Sequence, residues 1–207
     1  MNFHTFQTSV ILVVGGGIAG SSAAIAASRM DSKTLLIEYF GCLGGNAATG
    51  LVNSFCGFFT KPNLVPVVRG IGGKIVQAMI DRKAAKEKGW GLSFDPEHLK
   101  ILLDEKISEA KVNLLYYTQM LDPIVENDLI RGIVIANKAD GINPYSLTQA
   151  TIQGRKVVHE LQRFFNEEIP GSNHAQVMQT AAKIGLRETR RVMGEQVLSG
   201  EEILQGK

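Results

Sequence analysis

The chain has 207 residues, 44% of them hydrophobic, and its acids and bases nearly balance to a net charge of +2. That length carries one good core with at most a small appendage, and the near-neutral balance leaves no electrostatic footprint for nucleic acid or an anionic membrane surface. The two cysteines are too few for a four-thiolate cluster or a disulfide scaffold, and they fit a reducing compartment. The stretch from Met1 to Ser9 has no basic segment followed by a sustained apolar run. No run approaches the ~20 apolar residues needed to span a bilayer. A soluble, cytoplasmic protein with a small-molecule partner is the expectation.

The first element is the apolar β-branched run Val10 to Val14, which ends on Gly15-Gly16-Gly17-Ile18-Ala19-Gly20. Gly15, Gly17 and Gly20 have the G-x-G-x-x-G spacing, and the small residues from Ser21 to Ala27 continue as a helix. Each glycine has its own task. Gly15 allows the tight turn out of the strand, Gly17 lets backbone approach a pyrophosphate, and Gly20 lets the helix lie close on the sheet. The backbone N–H groups around Ile18 and Ala19, at the positive end of the helix dipole, favour an anion there. After a polar turn at Asp31-Ser32-Lys33 comes a second strand, Thr34-Leu35-Leu36-Ile37, closing on Glu38. An acid about 20 residues past the glycines is placed to accept hydrogen bonds from both ribose hydroxyls. It would repel a 2′-phosphate.

Tyr39 to Gly50 is a loop too glycine-rich for regular structure and too apolar for a free linker. Gly72-Gly73 precedes a helix with Ile75, Val76, Met79 and Ile80 on one face and Lys83, Lys86, Glu87 and Lys88 solvated, stopped by Gly89. Asp95-Pro96-Glu97 reads as an N-cap, a proline at N1 and an acid in the first turn of another helix, with Leu99, Leu102, Leu103 and Ile107 at helical spacing. His98 near its start has no evident partner. Val112 to Tyr117 has a buried-strand pattern, and Leu121 to Val125 with Leu129 to Ala136 form a hairpin across Glu126-Asn127-Asp128. Cys42 and Cys56 stand too far apart for a C-x-x-C redox pair and are expected to be apolar fillers. No metal site is expected.

The combination Val-Val-Gly-Gly-Gly-Ile-Ala-Gly, Leu-Leu-Ile-Glu and Leu-Gly-Gly-Asn-Ala-Ala-Thr-Gly-Leu-Val resembles the FAD-dependent oxidoreductases of the glutathione-reductase-like superfamily. Within them it is most similar to the group related to the flavoprotein subunit of heterodisulfide reductase. The resemblance implies an α/β fold, a Rossmann-like parallel sheet with a β-meander, binding FAD in residues 1–139. It implies that Gly44, Gly45 and Asn46 lie beside the flavin half, a second glycine loop that a nicotinamide-dependent dehydrogenase would not need. Beyond Lys138 the relatives continue through an Ala-Thr-Gly-Asp strand and a large substrate domain, which this sequence does not display. Instead Tyr145-Ser146-Leu147-Thr148, Gln153-Gly154-Arg155, the helix face Val157, Val158, Leu161, Phe164 and Phe165, and Ile184-Gly185-Leu186-Arg187-Glu188-Thr189-Arg190-Arg191 resemble later parts of those proteins.

Residues 140–207 are therefore expected to be a mainly helical remnant of the substrate region. Arg187 is the candidate catalytic residue, either binding a substrate carboxylate or steadying a reduced flavin, with a structural salt bridge as the alternative. The expected function is flavin-mediated hydride or electron transfer on a small molecule, alone, as a homo-oligomer or with an electron-transfer partner. A non-catalytic nucleotide-binding remnant is the alternative reading, and an NAD-dependent dehydrogenase is disfavoured.

Overall fold

The computed structural model describes residue 9 and residues 11–60, 63, 65–88, 91–137 and 143–182. Strand β1 (Ile11–Val14) runs into helix α1 (Ile18–Ser28), which returns to β2 (Thr34–Ile37). A two-residue strand β3 (Ser54–Phe55), helix α2 (Gly70–Asp81), β4 (Ala85–Lys88) and β5 (Gly91–Phe94) follow, then helix α3 (Pro96–Glu109) and β6 (Asn113–Leu115). The hairpin β7 (Thr118–Glu126) and β8 (Leu129–Asn137) precedes the long helix α4 (Pro144–Glu168).

The principal sheet has the order β1-β2-β6 and is wholly parallel, with Val14 opposite Ile37 and Ile37 opposite Leu115. Its β2 side chains are all buried, as a central parallel strand requires. One face, through Leu36, packs on Ala24 and Ile25 of α1, Met79 of α2 and Leu99, Leu102 and Leu103 of α3. Leu35, Ile37 and Leu115 point the other way, against Met120, Ile133 and Ile135 of the hairpin. The fold is thus α/β and Rossmann-like, with helices on one face of the parallel sheet and a β ribbon on the other. A separate antiparallel sheet, β3-β5-β4, packs Leu92 against Phe58 and Val76.

The start of α3 is as its sequence predicts. Asp95 caps it by accepting from the backbone N–H of Glu97 at 2.8 Å, with Pro96 in the first turn. The end of α2 differs from expectation. The helix does not run on to Lys88 but stops at Asp81, because Lys83 turns the chain at φ 58° and Ala85–Lys88 pairs antiparallel with β5. The charged residues are exposed in either geometry, so helical periodicity alone did not separate a helix face from an edge strand.

The C-terminal helix does not dock by the apolar face read from its spacing. Val157, Leu161, Phe164 and Phe165 are 41%, 50%, 50% and 46% exposed and Val158 is half-buried, whereas Leu147, Thr148, Thr151 and Arg155 are buried. The helix is fastened near its start by polar contacts. The Thr148 hydroxyl accepts from the Tyr116 N–H at 3.0 Å just beyond β6, and the Tyr117 and Thr151 hydroxyls meet at 3.2 Å.

Two glycines test the packing in opposite directions. A Cβ on Gly20 would stand 1.9 Å from the carbonyl oxygen of Gly15, so Gly20→Ala forces α1 off the strand and should cost about 1–3 kcal/mol in chemical denaturation. A Cβ on Gly154, inside α4, would meet nothing within 4 Å, and Gly154→Ala should instead gain about 0.5–1 kcal/mol. Equal effects of the two substitutions would contradict this packing.

Candidate cofactor site

The carboxyl ends of β1, β2 and β6 lie on one edge of the sheet, where ligands of open α/β sheets bind. Gly15 leaves β1 at φ 98°, a conformation reserved for glycine, while its N–H donates to the Ile37 carbonyl at 2.8 Å. The fold requires two of the motif's three glycines, each for its own reason: Gly15 by its dihedral and Gly20 by the Gly15 carbonyl beneath it. Gly17 is required by neither. It caps α1 at φ −62° and ψ 179°, open to any residue, and a Cβ there would meet no atom within 4 Å.

Around this open point the helix start is bare. Gly17 makes no side-chain cap and the first turn of α1 holds no acidic residue, so the N–H groups of Ile18 and Ala19 have no side-chain acceptor from a cap. Glu38, at the end of the central strand, is buried at 6% exposure. One carboxylate oxygen accepts from the Gly16 N–H at 2.6 Å and the other from the Phe40 N–H at 2.7 Å. Each oxygen has about two lone-pair directions. One on each remains for another donor.

The second glycine loop closes on the first. The Gly44 N–H donates to the Gly16 carbonyl at 2.8 Å, and Gly17 and Gly44 form an isolated parallel bridge. Gly44 and Gly45 have positive φ of 103° and 51°, and a Cβ on Gly45 would come within 3.2 Å of the Gly17 Cα. The loop that sequence alone leaves irregular therefore tightens into a short 3-10 turn at Gly45–Ala47, with Asn46 exposed on it. The structure thus gathers Gly15, Gly17, Ile18, Ala19, Gly20, Glu38, Gly44, Gly45 and Asn46 along one edge. Arg187, with Glu188, Arg190 and Arg191, lies outside the described residues.

Several contributors have no sequence signal. Gly16, the unconstrained position of the motif, has its Cβ direction blocked at 2.4 Å by the Leu43 side chain of the second loop. Behind the loops sits a buried cluster of Asp104, Tyr116 and Arg155. The guanidinium donates to Asp104 Oδ2 from Nε at 3.0 Å and from Nη2 at 2.7 Å, and the Tyr116 hydroxyl donates to Asp104 Oδ1. Burial raises the Tyr116 pKa, and neighbouring Asp104 raises it further, so the hydroxyl keeps its proton. Burial opposes the Arg155 charge, but the Asp104 carboxylate, the neighbouring Tyr116 and the hydrogen bond to Asp104 together hold its pKa above the usual arginine value.

Both cysteines are free, Cys42 buried and Cys56 exposed, and burial pushes the Cys42 thiol up, away from the thiolate that redox exchange needs. His98, expected to lack a partner, lies within ion-pair distance of the capping carboxylate but makes no hydrogen bond through Nδ1. Its Nδ1 is 3.0 Å from Asp95 Oδ2, and its ring meets that of His159 edge-on at 5.0 Å. His159 is held below the ordinary histidine range, first by burial and then by His98. Among the described residues, no group of His, Cys, Asp and Glu could hold a metal ion, and no helix is long and apolar enough to cross a membrane.

A parallel sheet, a glycine turn into an uncapped helix and an acid closing the second strand define a Rossmann-like protein of the dinucleotide-binding class. More narrowly, the chain belongs to the FAD dependent oxidoreductase family, whose sequence model it matches over residues 11–144 and again over 137–207. Among solved structures it is similar to THI4 of Thermovibrio ammonificans, at 18% identity and TM-score 0.43, covering 69% of this chain and 50% of that one. A geranylgeranyl bacteriochlorophyll reductase-like protein of Thermoplasma acidophilum matches at 21% identity and TM-score 0.43, covering 64% and 36%. L-proline dehydrogenase from P. horikoshii matches at 14% identity and TM-score 0.40, covering 62% and 49%. The chain therefore spans half the length of these proteins or less.

Glu38 can be tested without any ligand. In Glu38→Gln one of the two backbone N–H donors faces an amide NH2 rather than an oxygen, so denaturation should show a loss of about 1–3 kcal/mol. Wild-type stability in this variant would show that the carboxylate does not bridge the two amides.

Proposed function

We propose that this chain binds FAD along the edge built by its two glycine loops and serves flavin-mediated hydride or electron transfer on a small-molecule substrate. One observation carries the reading: the unfilled Cβ direction of Gly17, beside a helix start that no side chain caps. Folding does not require glycine there. Close approach of a pyrophosphate does.

The residues suit the group. The turn Gly15 to Gly20, with the N–H groups of Ile18 and Ala19, would receive the pyrophosphate against the helix dipole. Glu38 has a lone pair on each oxygen for a ribose hydroxyl, and the two amides it already holds fix its orientation. Gly44, Gly45 and Asn46 would border the flavin half, where positive φ brings backbone close. When bound, the isoalloxazine supplies the redox chemistry, and the protein supplies binding, orientation and electrostatics. Arg187 is carried as the candidate group toward substrate. Kinship to the heterodisulfide reductase flavoprotein group, the division at residue 139, and a second copy or an electron-transfer partner belong to the same reading.

A second reading, a nucleotide-binding remnant without productive flavin chemistry, is favoured by the exposed apolar residues of α4, which relatives of this sequence pattern would be expected to cover. The two separate in solution. Purified wild-type protein that is yellow, or that keeps a flavin spectrum after incubation with FAD and gel filtration, with that spectrum bleached by dithionite, supports the first reading. Binding of ADP without FAD supports the second.

Gly17→Ser tests the carrying observation. Serine is at least as good an N-cap as glycine, and its Cβ meets no protein atom within 4 Å, so stability should hold or rise. Affinity for ADP and FAD should nonetheless fall about tenfold or more, ~1.4 kcal/mol. Unchanged nucleotide affinity in a folded Gly17→Ser protein would remove the basis of this proposal.

A further inference from the structure

The second glycine loop is held from behind by a residue of the C-terminal helix. Arg155 Nη1 donates to the Gly41 carbonyl at 2.6 Å, in the segment between Glu38 and Gly44. The remaining edges of the same guanidinium are occupied by Asp104 of α3, at 3.0 and 2.7 Å, and by the Tyr116 hydroxyl at 3.3 Å. Arg155 and Asp104 are both almost fully buried, at 5% and 3% exposure, so the fork has one geometry. Gly41 is itself tightly enclosed: a Cβ there would lie 2.2 Å from the Tyr117 hydroxyl, which contacts Thr151 of the same helix.

The loop is thus tied at successive points. Phe40 N–H goes to Glu38, the Gly41 carbonyl to Arg155, and Gly44 N–H to the Gly16 carbonyl. The first and last of these ties belong to the loops themselves. The middle one reaches out to α4. We propose that Arg155 is a positioning residue for the cofactor loop: it anchors Gly41 so that Gly44 to Asn46 stand preformed against the first glycine turn. Docking of α4 and binding of FAD are thereby linked. Linkage is reciprocal, so FAD in turn strengthens the seating of α4.

This inference rests on the FAD reading above but makes a demand that reading does not. ADP touches the first glycine turn and Glu38, whereas FAD also needs the second loop. Removing Arg155 alone would leave Asp104 as an unpaired buried charge and damage the fold. The double variant Arg155→Met/Asp104→Leu removes both charges together. A companion variant, Arg155→Lys, keeps a cation opposite Asp104 but lacks the planar fork that reaches Gly41 at the same time.

In either folded variant, fluorescence titration should find FAD affinity reduced about tenfold or more, with ADP affinity within about twofold of wild type. Amide exchange in nucleotide-free protein should accelerate at Gly44 to Ala48 and stay unchanged at Ile18 to Ser21. A purely structural role would weaken both nucleotides together or neither, and either result overturns the inference, as does unchanged exchange in the loop. Wild-type protein that binds neither nucleotide overturns the FAD reading, and this inference falls with it. Wild-type protein that binds FAD, alongside variants of equal FAD affinity, overturns this inference alone.

Discussion

The carboxylate of Glu38 is the interaction on which the joined glycine loops depend. It ends β2, the central strand of the parallel sheet, and accepts from Gly16 on one side and Phe40 on the other. A buried carboxylate is costly unless its oxygens are satisfied. Here two backbone amides satisfy them in part, and in doing so each glycine loop acquires a fixed starting point. The Gly16 N–H could point at Glu38 only if the first turn leaves β1 as it does, and that turn needs the positive φ of Gly15. The second loop then closes through the Gly44 N–H onto the carbonyl of the same Gly16. Turn, acid and loop are one hydrogen-bonded unit, and its outer face is where the Gly17 Cβ direction lies open.

What the sequence makes legible is the part governed by local chemistry. The glycine spacing, the acid after the second strand, the Asp95-Pro96 cap and the turn at Asn127-Asp128 each follow from residues adjacent in the chain, and all have counterparts in the structure. Strand alternation sets Leu35 and Ile37 on the face opposite Leu36, and that the hairpin covers their side is what the family resemblance implies. Boundaries set by non-glycine residues in the left-handed region are harder. Lys83 at φ 58° ends α2 with no glycine or proline to announce it. Contacts between residues far apart in sequence are harder still: Gly16 against Leu43, and Arg155 against Gly41 across a separation of 114 residues.

The helix α4 illustrates the same division. Its apolar spacing marks a face of Val157, Val158, Leu161, Phe164 and Phe165, and a hydrophobic stripe normally faces a core. The structure seats the helix instead by Leu147, Thr148, Thr151 and Arg155, polar apart from the first, and leaves the stripe half exposed. Thr148 and Thr151 also return hydrogen bonds to their own helix, to Pro144 and Leu147, which is why neither looks like a docking residue in sequence. The family match falls into two overlapping segments, 11–144 and 137–207, and α4 opens where they meet. Its attachment runs through residues that back the glycine loops, so a residue of the second segment, Arg155, touches the loop held by the first.

Both glycine loops form a single cradle joined at Glu38. Hydrogen–deuterium exchange resolved at the peptide level, with and without saturating FAD, tests it directly. In a single cradle, FAD slows exchange in the segment 16–21 and in the segment 44–48 together. Protection confined to one of the two segments, or saturating FAD with protection in neither, would contradict it.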